Sequence, residues 1–175
     1  LELVTERPTA PPPYHAYATI SGVFVAGLAL AGGVARLVGR DPREQTWLDL
    51  ATLSAATFKA SRTIARDNVT SFIRERFVEG DPRDYEGEQP VQTGGMEQAI
   101  GELVTCSRCV GTWAAAGLAT TQVVAPRFGR LLTWSLAAAG INDFLQAGFT
   151  ALTQKASELE RQGPASPLGV VERRS

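Results

Sequence analysis

Apolar and polar positions alternate along this chain on the scale of helices, not strands. Tyr14 to Ala35 (YHAYATISGVFVAGLALAGGVA) runs 22 residues without a formal charge. At about 1.5 Å per residue such a helix reaches roughly 33 Å, enough for the ~30 Å hydrocarbon core of a bilayer. Tyr14 and Tyr17 stand at its start as interfacial anchors, and Arg36 and Arg40 close its end. A secretory signal peptide carries its basic residues ahead of the apolar run, and here they follow it. The helix of a soluble protein core is the other rival, favoured by the many Ala, Gly and Thr. Gly22, Ala26 and Leu30, with Gly27 beside them, form a small-residue row on which another helix could approach closely. The preceding thirteen residues hold four prolines (LELVTERPTAPPP) and read as an extended arm.

After an Asp41-Pro42 turn, a second helix is expected over Thr46 to Arg66. Leu50, Leu53, Thr57 and Ile64 give it an irregular apolar face, while Lys59, Arg62 and Arg66 share another. Three cations are costly at a bilayer centre, so this helix either spans with snorkelling cations, lies in the interface, or is soluble. Residues 67 to 95 read as a solvent loop, with breakers at Gly80-Asp81-Pro82, Pro90 and Gly94-Gly95. Met96 to Val104 is a short helix. Cys109 to Pro126 then offers 18 uncharged residues, and Leu131 to Gln154 offers 24 with one charge, Asp143. Arg127 and Arg130 mark the basic turn between two antiparallel helices. From Ser157 the chain reads as a polar tail. The expectation is an all-α membrane domain over residues 14–156, with three or four apolar helices and a polar loop bearing a Cys-x-x-Cys turn.

Composition narrows the function classes. Among 175 residues, 17 Lys and Arg face 18 Asp and Glu, for a net charge of -1; no basic field points to nucleic acid. A mean hydropathy of -0.04 is low for a membrane protein and keeps a soluble helical subunit in view. Two cysteines and one histidine exclude a disulfide scaffold. There is no phosphate-binding glycine loop, no HExxH helix, and no nucleophile with a base and an orienting group, so no catalytic residue is expected.

Three strings, WLDLATLSAATFKASRTIARDNVTSFIRERF, GELVTCSRCVGTWAAAGLA and APRFGRLLTWSLAAAGINDFLQAGFTALTQKA, occur in this order over residues 47–156. In them the chain resembles the bacterial domain of unknown function 1360, a family of small predicted membrane proteins, some associated with sporulation. The family's pattern falls on Ser61-Arg62, Asp67, Val69-Thr70-Ser71, Gly101-Glu102-Leu103, Cys106, Cys109, Trp113 and Asp143 to Gln146. The resemblance thereby points to Arg62, Asp67, Glu102, Trp113, Asp143 and Gln146 as structural or interaction residues. Two positions depart: Ser107 stands where many members carry Pro, and Glu75-Arg76 where many carry Ala-Pro.

The cysteine spacing is the sharpest chemical feature. Cys-x-x-Cys can close on itself, bind a metal or pack as two small hydrophobes, and a following helix expected to start at about Gly111 would lower the thiol pKa. Zinc would need two more ligands, from Glu102, from His15 or from a second subunit. His15, beside tyrosines, is expected at an interface. Asp143, midway along an uncharged stretch, should be paired or functional; Lys59 or Arg62 is its expected partner, and Gln146 extends the same face. The basic residues between Arg36 and Arg108 favour a three-span form with the N-terminus outside and the cysteines cytoplasmic; a four-span form better suits a compact bundle. The chain is thus expected to be an accessory or scaffold protein of a bacterial envelope assembly in the cytoplasmic membrane, meeting the lipid bilayer and a partner or second copy through small-residue faces. The rivals are a membrane thiol-redox or metal-binding protein and a soluble helical subunit.

Overall fold

A computed structural model describes residues 10–40, 45–81 and 88–162. The Asp41-Pro42 turn, most of the proline arm and the tail beyond 162 lie outside the described residues. The architecture is all-α: α1 Tyr14–Leu37, α2 Trp47–Arg66, a short 3-10 turn Asn68–Thr70, α3 Ser71–Arg74, α4 Met96–Thr105, α5 Ser107–Val124 and α6 Pro126–Gln162. Two short strands, β1 Val78–Glu79 and β2 Gln89–Pro90, pair antiparallel with Val78 opposite Pro90. Among the described residues, α1 is the helix both long and apolar enough to cross a membrane. The chain forms two compact units, Leu1–Gly140 and Ile141–Ser175.

Local chemistry sets the helix ends. Thr46 and Asp49 cap α2 reciprocally: Thr46 Oγ1 accepts from Asp49 N at 3.3 Å, and Asp49 Oδ2 accepts from Thr46 N at 2.9 Å. At the end of α1, Gly39 turns left-handed (φ 68°), its N–H reaching Arg36 O at 3.1 Å and the Arg40 N–H reaching Ala35 O at 2.9 Å. This glycine-closed end satisfies carbonyls that the helix leaves open. Pro126 opens α6, where its missing N–H costs nothing. Arg127 and Arg130 therefore belong to the first turn of α6, and the break is at Ala125, shorter than the basic turn expected.

In the first unit, α2 runs antiparallel to α5, with Ser61 and Thr57 against Gly111 and Ala56 against Leu118. The first part of α6 returns along both. Gly129 lies so close to α5 that a Cβ there would sit 2.5 Å from Gln122 N, and one on Gly140 would sit 2.9 Å from Ala55 O. Thr133, 0% exposed, accepts from Gln122 Nε2 at 2.9 Å across that interface. α1 lies parallel to α5: Tyr17 meets Glu102 just before α5, Phe24 stacks edge-on against Trp113 with ring centroids 5.0 Å apart, and Arg40 reaches the end of α5.

The expected solvent loop is only partly a loop. Arg74 at the end of α3 is 1% exposed, and the β1–β2 hairpin packs on α4, where Gly101 meets Phe77 O and Pro90 so closely that no side chain fits. Likewise α6 continues to Gln162, past the Ser157 at which a polar tail was expected to begin. In the second unit, the helical stretch from Ile141 exposes Phe144, Leu145, Phe149 and Leu152.

Candidate functional site

The chemistry-bearing residues of the first unit gather where α4 gives way to α5. Cys106 ends α4 in an extended conformation and serves as N-cap of α5. Its sulfur accepts from the Cys109 N–H at 3.3 Å, and the Cys109 thiol donates to it with the two sulfurs 2.6 Å apart. Both are free thiols, Cys106 half-buried and Cys109 exposed. Burial alone would push the Cys106 thiol up, but the hydrogen bonds from the Cys109 thiol, the Cys109 N–H and the Arg108 N–H, with the Arg108 charge, together hold it below its ordinary value. Ser107 occupies the first position of α5, where proline is also at home, so this departure from the family pattern leaves the helix start intact.

Glu102 faces α1 instead of the cysteines. Its Oε2 accepts from the Tyr17 hydroxyl and its Oε1 from Gln98 Nε2 at 2.9 Å, while Gln98 Oε1 accepts from Gly94 N at 2.9 Å. Gln98 is buried, so this relay satisfies a polar side chain inside the fold while tying α1 to α4. Tyr17, expected at a membrane interface, is thereby a hydrogen-bond donor to Glu102. His15, two residues earlier, lines a cavity of about 410 Å³ with Pro11 to Pro13, Thr19 and Gly94 to Met96. The start of α1 and the start of α5 thus lie at the same end of this unit, which disagrees with the three-span form that put His15 across the membrane from the cysteines. Among the described residues no three His, Cys, Asp or Glu side chains gather to hold a metal ion, so neither Glu102 nor His15 completes a zinc site with Cys106 and Cys109.

Asp67 and the Val69-Thr70-Ser71 string form the end of α2. Asp67 is the C-cap, its N–H bonded to Thr63 O at 3.3 Å, and the Thr70 hydroxyl donates to Thr63 O and to Asp67 O, the latter at 2.9 Å. Arg74 completes the plug: its NH1 donates to Ile64 O at 2.7 Å, Asp67 O at 3.2 Å and Thr70 Oγ1 at 3.0 Å, and its Nε and NH2 clasp Glu88 at 2.9 and 3.3 Å. A guanidinium suits this position because its fork serves helix carbonyls and a carboxylate at once. Arg62 points elsewhere, exposed over the Phe58 ring at 5.7 Å. Trp113 pairs with Phe24. Asp143 and Gln146 belong to the second unit, where Gln146 O accepts from Thr150 Oγ1 at 2.9 Å.

Arg74, Glu88 and Gln98 escaped sequence reasoning, while Arg40, expected to close the end of the first helix, also reaches across to the end of α5. Arg74 and Glu88 look like surface charges of a loop, and nothing in their spacing announces burial. Gln98 carried a signal: it lies four residues before Glu102 on the same helix face.

The family model described as "Protein of unknown function (DUF1360)" matches residues 52–149. "Sporulation protein YjcA" of Bacillus subtilis (strain 168) is 30% identical over 104 residues, covering 57% of this chain and 88% of the relative. No solved structure matches the chain. The matched stretch runs from within α2 into α6, takes in the α2 plug, Glu102, both cysteines and Trp113, and leaves α1 outside it. The chain belongs to the DUF1360 family.

Proposed function

We propose that this protein is a membrane-embedded helical scaffold, an accessory subunit of a bacterial envelope assembly, with α1, α2, α5 and the first part of α6 all crossing the bilayer. The observation that carries the reading is the inverted distribution of side-chain size. Among the described residues, the buried hydrophobics are six alanines with Val110 and Leu118, and the closest helix approaches fall on Gly129 and Gly140. Large apolar side chains point outward instead: Leu30 is 71% exposed, Trp47 86% and Leu131 67%. A soluble fold that left such a surface in water would lose the main driving force for folding, whereas lipid accepts it at no cost. Small residues inside and an interhelical bond such as Gln122 to Thr133 are what helix association in lipid uses.

α2 and α5 are less apolar than α1, yet they lie along the same length of the unit as α1 and share its depth. Lys59, Arg62 and Arg66 fall in the last turns of α2, within snorkelling reach of the interface. The outward face of α1 carries Gly22 and Gly27 with nothing within 4 Å of a Cβ, which leaves it free for a second copy or partner helix. We place the cysteine end on the cytoplasmic side, where a reducing compartment keeps Cys106 and Cys109 as free thiols. The similarity to a sporulation protein makes spore formation the first process in which to look for the role.

Carbonate extraction of membranes from an expressing bacterium tests the reading. Retention in the pellet, with Cys109 labelled by an impermeant maleimide only after lysis, is the expected result. Release of the protein by carbonate would overturn the membrane assignment.

A further inference from the structure

The cysteine pair has the geometry of an asymmetric dithiol. Cys106 Sγ lies at the N-terminus of the 18-residue α5, receiving the Cys109 N–H and the Cys109 thiol, and the sulfurs are already within 2.6 Å. Closing a bond between them joins the cap position and the first turn of one helix, whose side chains are already in contact. Cys109 is exposed and Cys106 half-buried, so an incoming disulfide can reach the pair from solvent. Within one chain no further Cys, His, Asp or Glu among the described residues joins them, which leaves the two thiols with each other as the nearest partners.

We propose that Cys106 and Cys109 form a redox-active dithiol that exchanges with a disulfide-bearing substrate, with Cys106 the attacking and Cys109 the resolving sulfur. The Cys106 thiolate attacks one sulfur of the substrate disulfide, forming a mixed disulfide; the displaced substrate sulfur leaves as thiolate and takes up a proton. Cys109 then loses its proton and attacks Cys106 Sγ, and the second substrate sulfur leaves as a thiol. Two electrons pass from this chain to the substrate, which gains two thiols while the chain gains the Cys106–Cys109 disulfide. Helix N-terminal amides and Arg108 favour the thiolate on Cys106, the sulfur that must start the exchange. This chemistry stands apart from the membrane reading: carbonate release would leave it untouched, and inert cysteines would leave the scaffold untouched.

The test uses the full chain, purified in detergent, reduced, and freed of reductant. One arm receives oxidised glutathione and another a disulfide-bonded peptide, and mass spectrometry follows the products. The internal disulfide should form in at least one arm, and which arm reacts distinguishes a small-molecule disulfide from a peptide one. Cys109→Ser should instead accumulate the mixed disulfide on Cys106. In the unmodified chain, alkylation of Cys106 at neutral pH should outpace that of Cys109 at least about tenfold, because the thiolate is the alkylated species and the helix start holds it on Cys106. Because its thiol is held low, Cys106 should also keep reacting as the pH falls below the range of an ordinary thiol. Equal alkylation rates, or two separate mixed disulfides with no internal closure, would overturn the proposal. So would zinc bound at one ion per two chains that abolishes exchange, since that would assign the pair to a metal site shared between copies.

Discussion

The two seams along α5 are built differently. α2 meets it through contacts spread along its length, Ser61 at Gly111 and Ala56 at Leu118, while α6 returns with Gly129 against the end of α5, Ala137 in the Ala56–Leu118 cluster and Gly140 against Ala55 of α2. α1 is held at separated points: the Tyr17 hydroxyl bonds Glu102 of α4 just before α5 begins, Phe24 pairs with Trp113 midway along α5, and Arg40 reaches its end. Gly22, Gly27, Gly32 and Gly33 of α1 make no close helix approach of the kind seen at Gly129 and Gly140. A seam of small residues is a continuous fit, sensitive to every added methyl group; a seam of clamps tolerates change between its points and fails at them. The family match follows this division, covering most of α2 and all of α5 but none of α1.

Substitutions can break or sharpen the contrast. The largest effect should come from Arg74→Met, which leaves the Glu88 carboxylate without its cation and takes one donor from the carbonyls of Ile64 and Asp67. A loss of about 3–5 kcal/mol is the usual result of breaking a buried pair, and it should appear in a denaturant titration of the detergent-solubilised protein. Gly140→Leu should follow: the new Cβ would fall 2.9 Å from Ala55 O, and overpacking of that kind costs about 1–3 kcal/mol. Equal stability of this variant and the parent would show that α6 is not held by close approach. Tyr17→Phe removes one donor to Glu102 and should cost about 1 kcal/mol, read as faster hydrogen exchange in α1 while α2 and α5 are unchanged. Exchange rising equally in all three helices would mean that the two seams open together. The smallest change belongs to Trp113→Leu, which removes the edge-on contact with Phe24, worth about 0.5–1.5 kcal/mol. Proteolysis of α1 should register it; no change in either seam would make the pair incidental.

Helix positions were largely legible because apolar runs and breakers announce them. The second helix was expected from Thr46, and Thr46 is the residue that caps α2. What the pattern hid was the interior. Periodicity points to Leu50 as core, yet it is exposed, while Ala56, Ala65 and Ala137 are buried. Hydrophobic size misleads here because the interior packs on alanine while larger apolar side chains point outward. The sequence also gives no sign that Arg74 turns inward, because its partners are carbonyls that become acceptors only once α2 has ended. Asp67, Glu102 and Trp113 were picked out through the family pattern, and the structure supplies their contacts: a cap, a clamp and an aromatic pair. The cysteine spacing was visible from the start, whereas the capping role that makes its two sulfurs unequal needed the fold.

Arg40 carries a consequence beyond its hydrogen bonds. Its main chain closes α1, and its guanidinium donates to Val123 O at 2.6 Å and Val124 O at 2.9 Å at the end of α5. Parallel neighbours bring together the negative ends of two helix macrodipoles, an arrangement that by itself drives them apart. One cation placed between those ends turns a repulsion into a shared attraction. It also indexes α1 along its axis, because a slip of one turn, about 5.4 Å, would carry the charge away from both ends. The helix outside the family match is therefore fixed in height at its end by a positive charge, as Tyr17 and Phe24 fix it nearer its start.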